Sequence, residues 1–317
     1  MTSLAYILGW YERDIKNNNI FTSSRWIIEE DLKREQSGTE FLLTTVHTEV
    51  LEALISGNFM HRYYHDSAFE AAISTQHKLD TQPGIYVNFF YRRKFAHGES
   101  TVAKDAGKSF SVAQLRVILD RFDLYHNAKR AGSTAYSRRC DKVFPAILIK
   151  DCDLDWAHGD RRYRLNADVN DEWKEQLRDL LARAEDFDDD ELAEPLIRYF
   201  IEVGYRQNCL DRATGHAHNK QTNSLFGLVN AVCAVEWPEE FEVRVFQIFR
   251  LTEVSHGKLG ELVGSILYDL LWLEGDLNPM LPGNVSLSQE HESGMKLNRE
   301  RLFLNSDFVK NNVKYSQ

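Results

Sequence analysis

Proline is scarce in this sequence. Six prolines and 17 glycines in 317 residues leave little material for long structureless linkers, and there is no internal repeat or low-complexity tract. Cysteine is as sparse. Cys140, Cys152, Cys209 and Cys233 form no C-x-x-C pair and no zinc-ligand spacing, so they read as reduced, mostly buried thiols rather than a disulfide framework. No run of 18 apolar residues occurs, so no membrane-spanning helix is expected. The N-terminal apolar stretch, Leu4 to Leu8, is too short and wrongly flanked for a secretory signal, which makes the cytoplasm the expected location. Positive charge is also in deficit. With 38 basic against 48 acidic residues the net charge is −10, and nucleic acid is not an expected partner because phosphate neutralisation needs a basic surplus.

What is present is an ordinary hydrophobic fraction of 43%, enough for a folded chain. The length suits one large domain or two smaller ones. Thr39–Val46 and Ile85–Tyr91 are rich in β-branched and aromatic residues and read as strands, as does Val143–Ile149. Glu49–Ser56, His65–His77 and Val112–Arg121 carry helical spacing, with Ser111 placed to cap the last. Beyond residue 160 the spacing predicts helices throughout: Asn170–Glu185, Glu191–Val203, Asn223–Val235, Glu239–Leu251 and Lys258–Glu274. The expected architecture is α/β, with a mostly parallel sheet in the N-terminal half followed by a largely helical C-terminal half. Residues 1–160 would be a nucleotide-binding-like region, 161–285 a helical region and 286–317 a polar tail or docking arm. A protein partner would use the helical half and the tail.

The acidity is concentrated. Sixteen of the 48 acidic residues fall within 151–194. Asp151-Cys152-Asp153 directly follows the Val143–Ile149 run, and residues two apart in a strand share a face. Asp151 and Asp153, with Asp155 as a third acid, would hold Mn²⁺ or Mg²⁺, hard cations that take oxygen ligands. Such an ion would neutralise a departing diphosphate. The alternative is a solvated acidic loop at a strand end.

Ala131-Gly132-Ser133-Thr134-Ala135-Tyr136-Ser137-Arg138-Arg139, followed by VFPAILIKDCD, resembles the middle of the glycosyltransferases of the GT-A fold. Phe187-Asp188-Asp189-Asp190-Glu191, with Arg198 and Gly204-Tyr205-Arg206 after it, is similar to that family's acidic pair and the Arg and Gly-Tyr that follow. The resemblance implies metal-dependent glycosyl transfer from a nucleotide sugar to an acceptor substrate. Asp151 and Asp153 would hold the metal, and Asp190 or Glu191 would deprotonate the acceptor hydroxyl. Gly132, Arg138 and Arg139 would lie against the nucleotide, the arginines on phosphate. For 188–191 the residues allow a second reading, acids that complement a helix N-terminus.

Two other readings stay open. Arg212 to His218 and Arg250 to His256 match the R-x4–6-H spacing of helical HEPN-type ribonucleases, as do Arg92–His97 and Arg121–His126. With 11 histidines in the chain such spacings also arise by chance. The third reading is a non-catalytic interaction protein. His61 and His65 stand one helical turn apart, a spacing that binds zinc, with His47, Asp66 and Glu70 as further candidate ligands. The general base of an H-E-x-x-H motif is missing. Tyr63-Tyr64 and Phe89-Phe90-Tyr91, near Arg92-Arg93-Lys94, read either as a stacking surface for a nucleotide or as an amphipathic strand with a basic end, the second being favoured. Cys209 reads as buried, since position 206 is Arg where a Cys-phosphatase loop needs Cys.

Overall fold

The computed structural model describes residues 38, 42–43, 45–76, 82–95, 103–127, 129–144, 162–163, 167–182, 188–195, 200–210, 224–253 and 256–267. Helices α1 (Thr48–Ile55), α2 (Phe59–His65) and α3 (Ser67–Gln76) come first, followed by strand β1 (Gly84–Arg92). Helices α4 (Val112–His126), α5 (Ser133–Val143), α6 (Ala167–Ala182) and α7 (Asp189–Ala193) lead to β2 (Phe200–Arg206). The order then runs α8 (Ser224–Glu236), β3 (Phe241–Arg250) and α9 (His256–Leu267).

The three strands form one sheet in the order β2-β1-β3, and both pairings are antiparallel. This corrects the expected parallel sheet. It also corrects the helical C-terminal half, because two of the three strands lie there. The physical reason is visible in each segment. Phe241, Val245, Ile248 and Leu251 are four, three and three apart, which imitates a helical stripe. The β-branched and aromatic content of FEVRVFQIFR suits a strand as well, and the segment pairs with β1. In Glu191–Val203 a helix would have to run through Pro195; instead α7 ends at Ala193 and β2 begins at Phe200. At the other end, Leu42 and Leu43 are helical, not part of a strand. Val143 closes α5, and the rest of the expected 143–149 strand, beyond Phe144, lies outside the described residues.

β1 is the centre of the molecule. Its first eight residues are buried, and alternation sends them to two separate cores. Ile85, Val87, Phe89 and Tyr91 face a core shared with α1, α2, α3 and α9. There Phe59 packs against Phe89, Phe246 and Phe69 with ring centroids 4.8, 5.0 and 5.4 Å apart. Phe90 faces the second core, with Phe110, Phe226 and Phe241, under α4, α5, α6 and α8. Ser111 caps α4 as its sequence predicts, through a capping box with Gln114. A sheet covered on both faces explains why β1 reads as a nearly continuous apolar run although its neighbours are antiparallel. β1 lies before residue 160 while both of its partners lie after it, so the sheet is completed only when distant parts of the chain meet.

Candidate functional site

Asp190 and Glu191 stand apart from Gly132, Arg138 and Arg139. Asp190 and Glu191 lie on the exposed five-residue helix α7. Glu191 is half of a capping box: its carboxylate accepts the Asp188 N–H at 3.1 Å, and its own N–H donates to Asp188 Oδ1 at 2.9 Å. Pro195, just beyond, bridges to Ser111 at the N-terminal end of α4. Gly132 is the N-cap of α5 in the left-handed conformation, φ 82°. Arg138 and Arg139 are exposed on α5, with Arg139 Nη2 donating to the Val235 carbonyl at 3.4 Å. Ser137 Oγ donates to the Tyr125 carbonyl near the C-terminal end of α4. The two groups are thus tied to opposite ends of a 15-residue helix, about 20 Å long. Asp151, Asp153 and Asp155 lie outside the described residues. Among the described residues no group of three or more His, Cys, Asp or Glu side chains is placed to hold a metal ion.

Of the Arg–His pairs, His97, Arg212 and His218 lie outside the described residues. Arg92 is ion-paired with Glu240, Arg121 with Glu236, and His126 Nδ1 faces the Phe122 carbonyl at 3.1 Å. Arg250 ends β3 and His256 begins α9 beside Glu253. Tyr63, Tyr64, Phe89, Phe90 and Tyr91 are all buried in the cores, so they offer no open stacking surface. Cys140, Cys209 and Cys233 are buried.

The structure instead assembles a constellation that sequence reading missed. On the face of the sheet opposite α9, the strand registers place Glu202 beside Asn88, and Gly204 and Gln247 on either side of Tyr86. Tyr86, Asn88, Glu202 and Gln247 are 2%, 0%, 4% and 1% exposed. Asn88 Nδ2 donates to Glu202 Oε2 at 2.8 Å. A carboxylate only accepts, so this bond fixes the amide orientation and turns Asn88 Oδ1 away from Glu202, where it has no hydrogen-bond partner among the described residues. Gln247 Nε2 reaches the Pro83 carbonyl at 3.5 Å. The Tyr86 ring crosses the sheet over Gly204; a Cβ there would lie 2.4 Å from the Tyr86 hydroxyl, so glycine is what lets the tyrosine lie down. Cys209 and Val245 pack on Tyr86. On the other face, burial pushes the Tyr205 phenol up to about 12, with Cys209 adding to the effect.

Burying two amides, a phenol and a carboxylate side by side costs several kcal/mol unless their hydrogen bonds are made, on the order of 1–3 kcal/mol for each unpaired group. Such a cluster marks either a polar network that fixes the packing or a recognition surface. Its sequence signal is a single polar residue inside each of three apolar runs: Asn88 in IYVNFFY, Glu202 in FIEVGY and Gln247 in VFQIF. Among the described residues no helix is long and apolar enough to cross a membrane. Compared with protein-family models, with curated proteins and with solved structures, the chain matches none of them.

Proposed function

We propose that the polar face formed by Tyr86, Asn88, Glu202 and Gln247 binds a hydroxyl-rich ligand. We attach to this site the metal-dependent transfer of a glycosyl group from a nucleotide sugar to an acceptor, in the cytoplasm. The observation that carries the binding is the buried Asn88–Glu202 pair, whose amide oxygen has no partner among the described residues. A hydroxyl both donates and accepts, so it can give a hydrogen to Asn88 Oδ1 while accepting from a neighbouring amide or phenol. Because the four side chains are buried, the ligand exchanges with whatever covers them, and binding is coupled to opening of this face. The transfer reading rests on the acidic run, in which Asp151, Asp153 and Asp155 would hold the Mn²⁺ or Mg²⁺. It does not rest on the sheet, whose antiparallel pairing departs from the expected parallel one.

A thermal-shift panel of free sugars, nucleosides and nucleotide sugars, each with and without Mn²⁺, tests both parts. At a ligand concentration of 100 times Kd the stabilisation is about 2.7 kcal/mol. A nucleotide-sugar shift is expected that needs Mn²⁺, disappears in Asp153→Ala and is reduced in Glu202→Gln. A shift with free sugars that ignores Mn²⁺ and survives Asp153→Ala would keep the binding site and remove the transfer reaction. No shift with any ligand overturns the binding site as well.

A further inference from the structure

His61 and His65 lie on α2 with ring centroids 4.4 Å apart, one helical turn along the same face. The chain returns to this helix at residues 103–108. Gly107 makes that return possible. Its φ is +76°, and a Cβ would stand 2.3 Å from the Met60 carbonyl oxygen and 2.7 Å from the His61 nitrogen, a clash with backbone that cannot be turned aside. The loop is anchored at both ends: Ala103 N–H donates to the Lys94 carbonyl at 2.9 Å, and Gly107 N–H to the Arg92 carbonyl at 3.0 Å.

The result is one backbone oxygen shared by two imidazoles. His61 Nδ1 is 3.3 Å and His65 Nε2 is 3.2 Å from the Ala106 carbonyl oxygen. Neighbouring ligands of a four- to six-coordinate ion with bonds of about 2.0–2.2 Å stand roughly 3.0–3.4 Å apart, so each nitrogen is already spaced from the oxygen as two ligands of one ion are. The side chains that spacing alone offered as further ligands are engaged elsewhere. His47 Nδ1 accepts the Glu49 N–H at the start of α1. Asp66 accepts the N–H groups of Ala68 and Phe69 and pairs with Arg62. Glu70 lies 3.8 Å from Lys94 Nζ. The nearby Lys108 charge is balanced by Asp105 at 3.1 Å and Glu194 at 3.4 Å.

We infer that His61 Nδ1, His65 Nε2 and the Ala106 carbonyl oxygen form a binding site for a borderline divalent transition ion of the Zn²⁺ or Co²⁺ class. Two imidazoles favour these ions over the Mn²⁺ or Mg²⁺ of an all-oxygen site. Entry of the ion requires only that each neutral imidazole carry its proton on the other ring nitrogen, so no proton leaves the ring. His65 is exposed, which gives the ion a way in, and water completes the coordination.

Titration of the full-length protein with ZnCl₂ by calorimetry, and with CoCl₂ by visible absorption, tests the site. One ion per chain is expected. His65→Ala, at an exposed position, should weaken binding by at least about tenfold, and His61→Gln likewise, while His47→Ala binds as the wild type does. Thermal melts without metal confirm that each variant is folded. Failure of the wild-type chain to bind one Zn²⁺, or unchanged binding by folded His65→Ala, overturns the proposal.

Discussion

The hydroxyl of Tyr125, near the end of α4, donates to Asp141 Oδ1 on α5 at 2.5 Å, and both residues are fully buried. The same two groups collect the chain at 162–163: Tyr163 N–H donates to the Tyr125 hydroxyl at 3.0 Å, and Arg162 N–H to Asp141 Oδ1 at 3.2 Å. One phenol and one carboxylate thus satisfy the backbone of a third segment. Burial, and then the Asp141 charge, hold the Tyr125 pKa well above its usual value, so it stays a donor. Tyr125→Phe keeps the ring and removes the link. It should lower the unfolding free energy by about 2 kcal/mol, because a buried carboxylate loses one of its donors and the Tyr163 N–H the Tyr125 hydroxyl. A shift of the urea midpoint with an unchanged slope is the expected result.

Asn88→Asp places a second carboxylate against Glu202 in the buried face of the sheet. One of the two must then carry a proton to keep the hydrogen bond, so its folded pKa rises above the unfolded value near 4. For an acid with a raised folded pKa, stability is fully present below the unfolded value and is lost as the pH rises through the folded one. The gap between variant and wild type should therefore be wider at pH 8 than at pH 5. Chemical denaturation at the two values measures it, and an equal gap would show that Glu202 is not acting as the acceptor of this pair.

Gly107 and Gly132 both have positive φ, yet their surroundings differ. A Cβ at Gly132 meets nothing within 4 Å, whereas at Gly107 it meets backbone. Gly132→Ala should cost about 1 kcal/mol, from the left-handed conformation alone. Gly107→Ala should cost clearly more, since the loop must also lift from α2. If thermal melts show equal costs, the 103–108 loop does not lie against the helix. Gly132→Ala also tests the sequence expectation that this residue lies against a nucleotide, because it would then weaken nucleotide-sugar binding well beyond what its small stability cost explains.

Burial raises several acidic protons at once. Cys140 and Tyr64 are pushed up to about 12, and Cys233 and Tyr91 well above their ordinary values. The folded state keeps protons that the unfolded chain gives up, so stability is fully present below about pH 9 and declines as the pH rises from there toward 12. Urea midpoints should fall steadily over that interval. Cys140 and Cys233 should resist thiol reagents at pH 8 until the chain unfolds, because the thiolate is the reactive form.

The sequence by itself determined much of the local structure. Helical spacing located α1, α6 and α8, Ser111 announced the cap of α4, and the β-branched and aromatic run of Ile85–Tyr91 announced β1. Each of these signals arises within a few turns of the chain, where capping bonds and side-chain periodicity act. What only the tertiary structure decided is β2 and β3. Phe241–Arg250 satisfies a helical stripe and a strand pattern equally well, and pairing with β1, more than 150 residues earlier at its start, selects the strand. The same pairing creates the polar face, because Asn88 and Glu202 are 114 residues apart and meet only through the sheet register. The carbonyl between His61 and His65 likewise belongs to a loop more than 40 residues away, positioned by one glycine whose φ no local pattern announces.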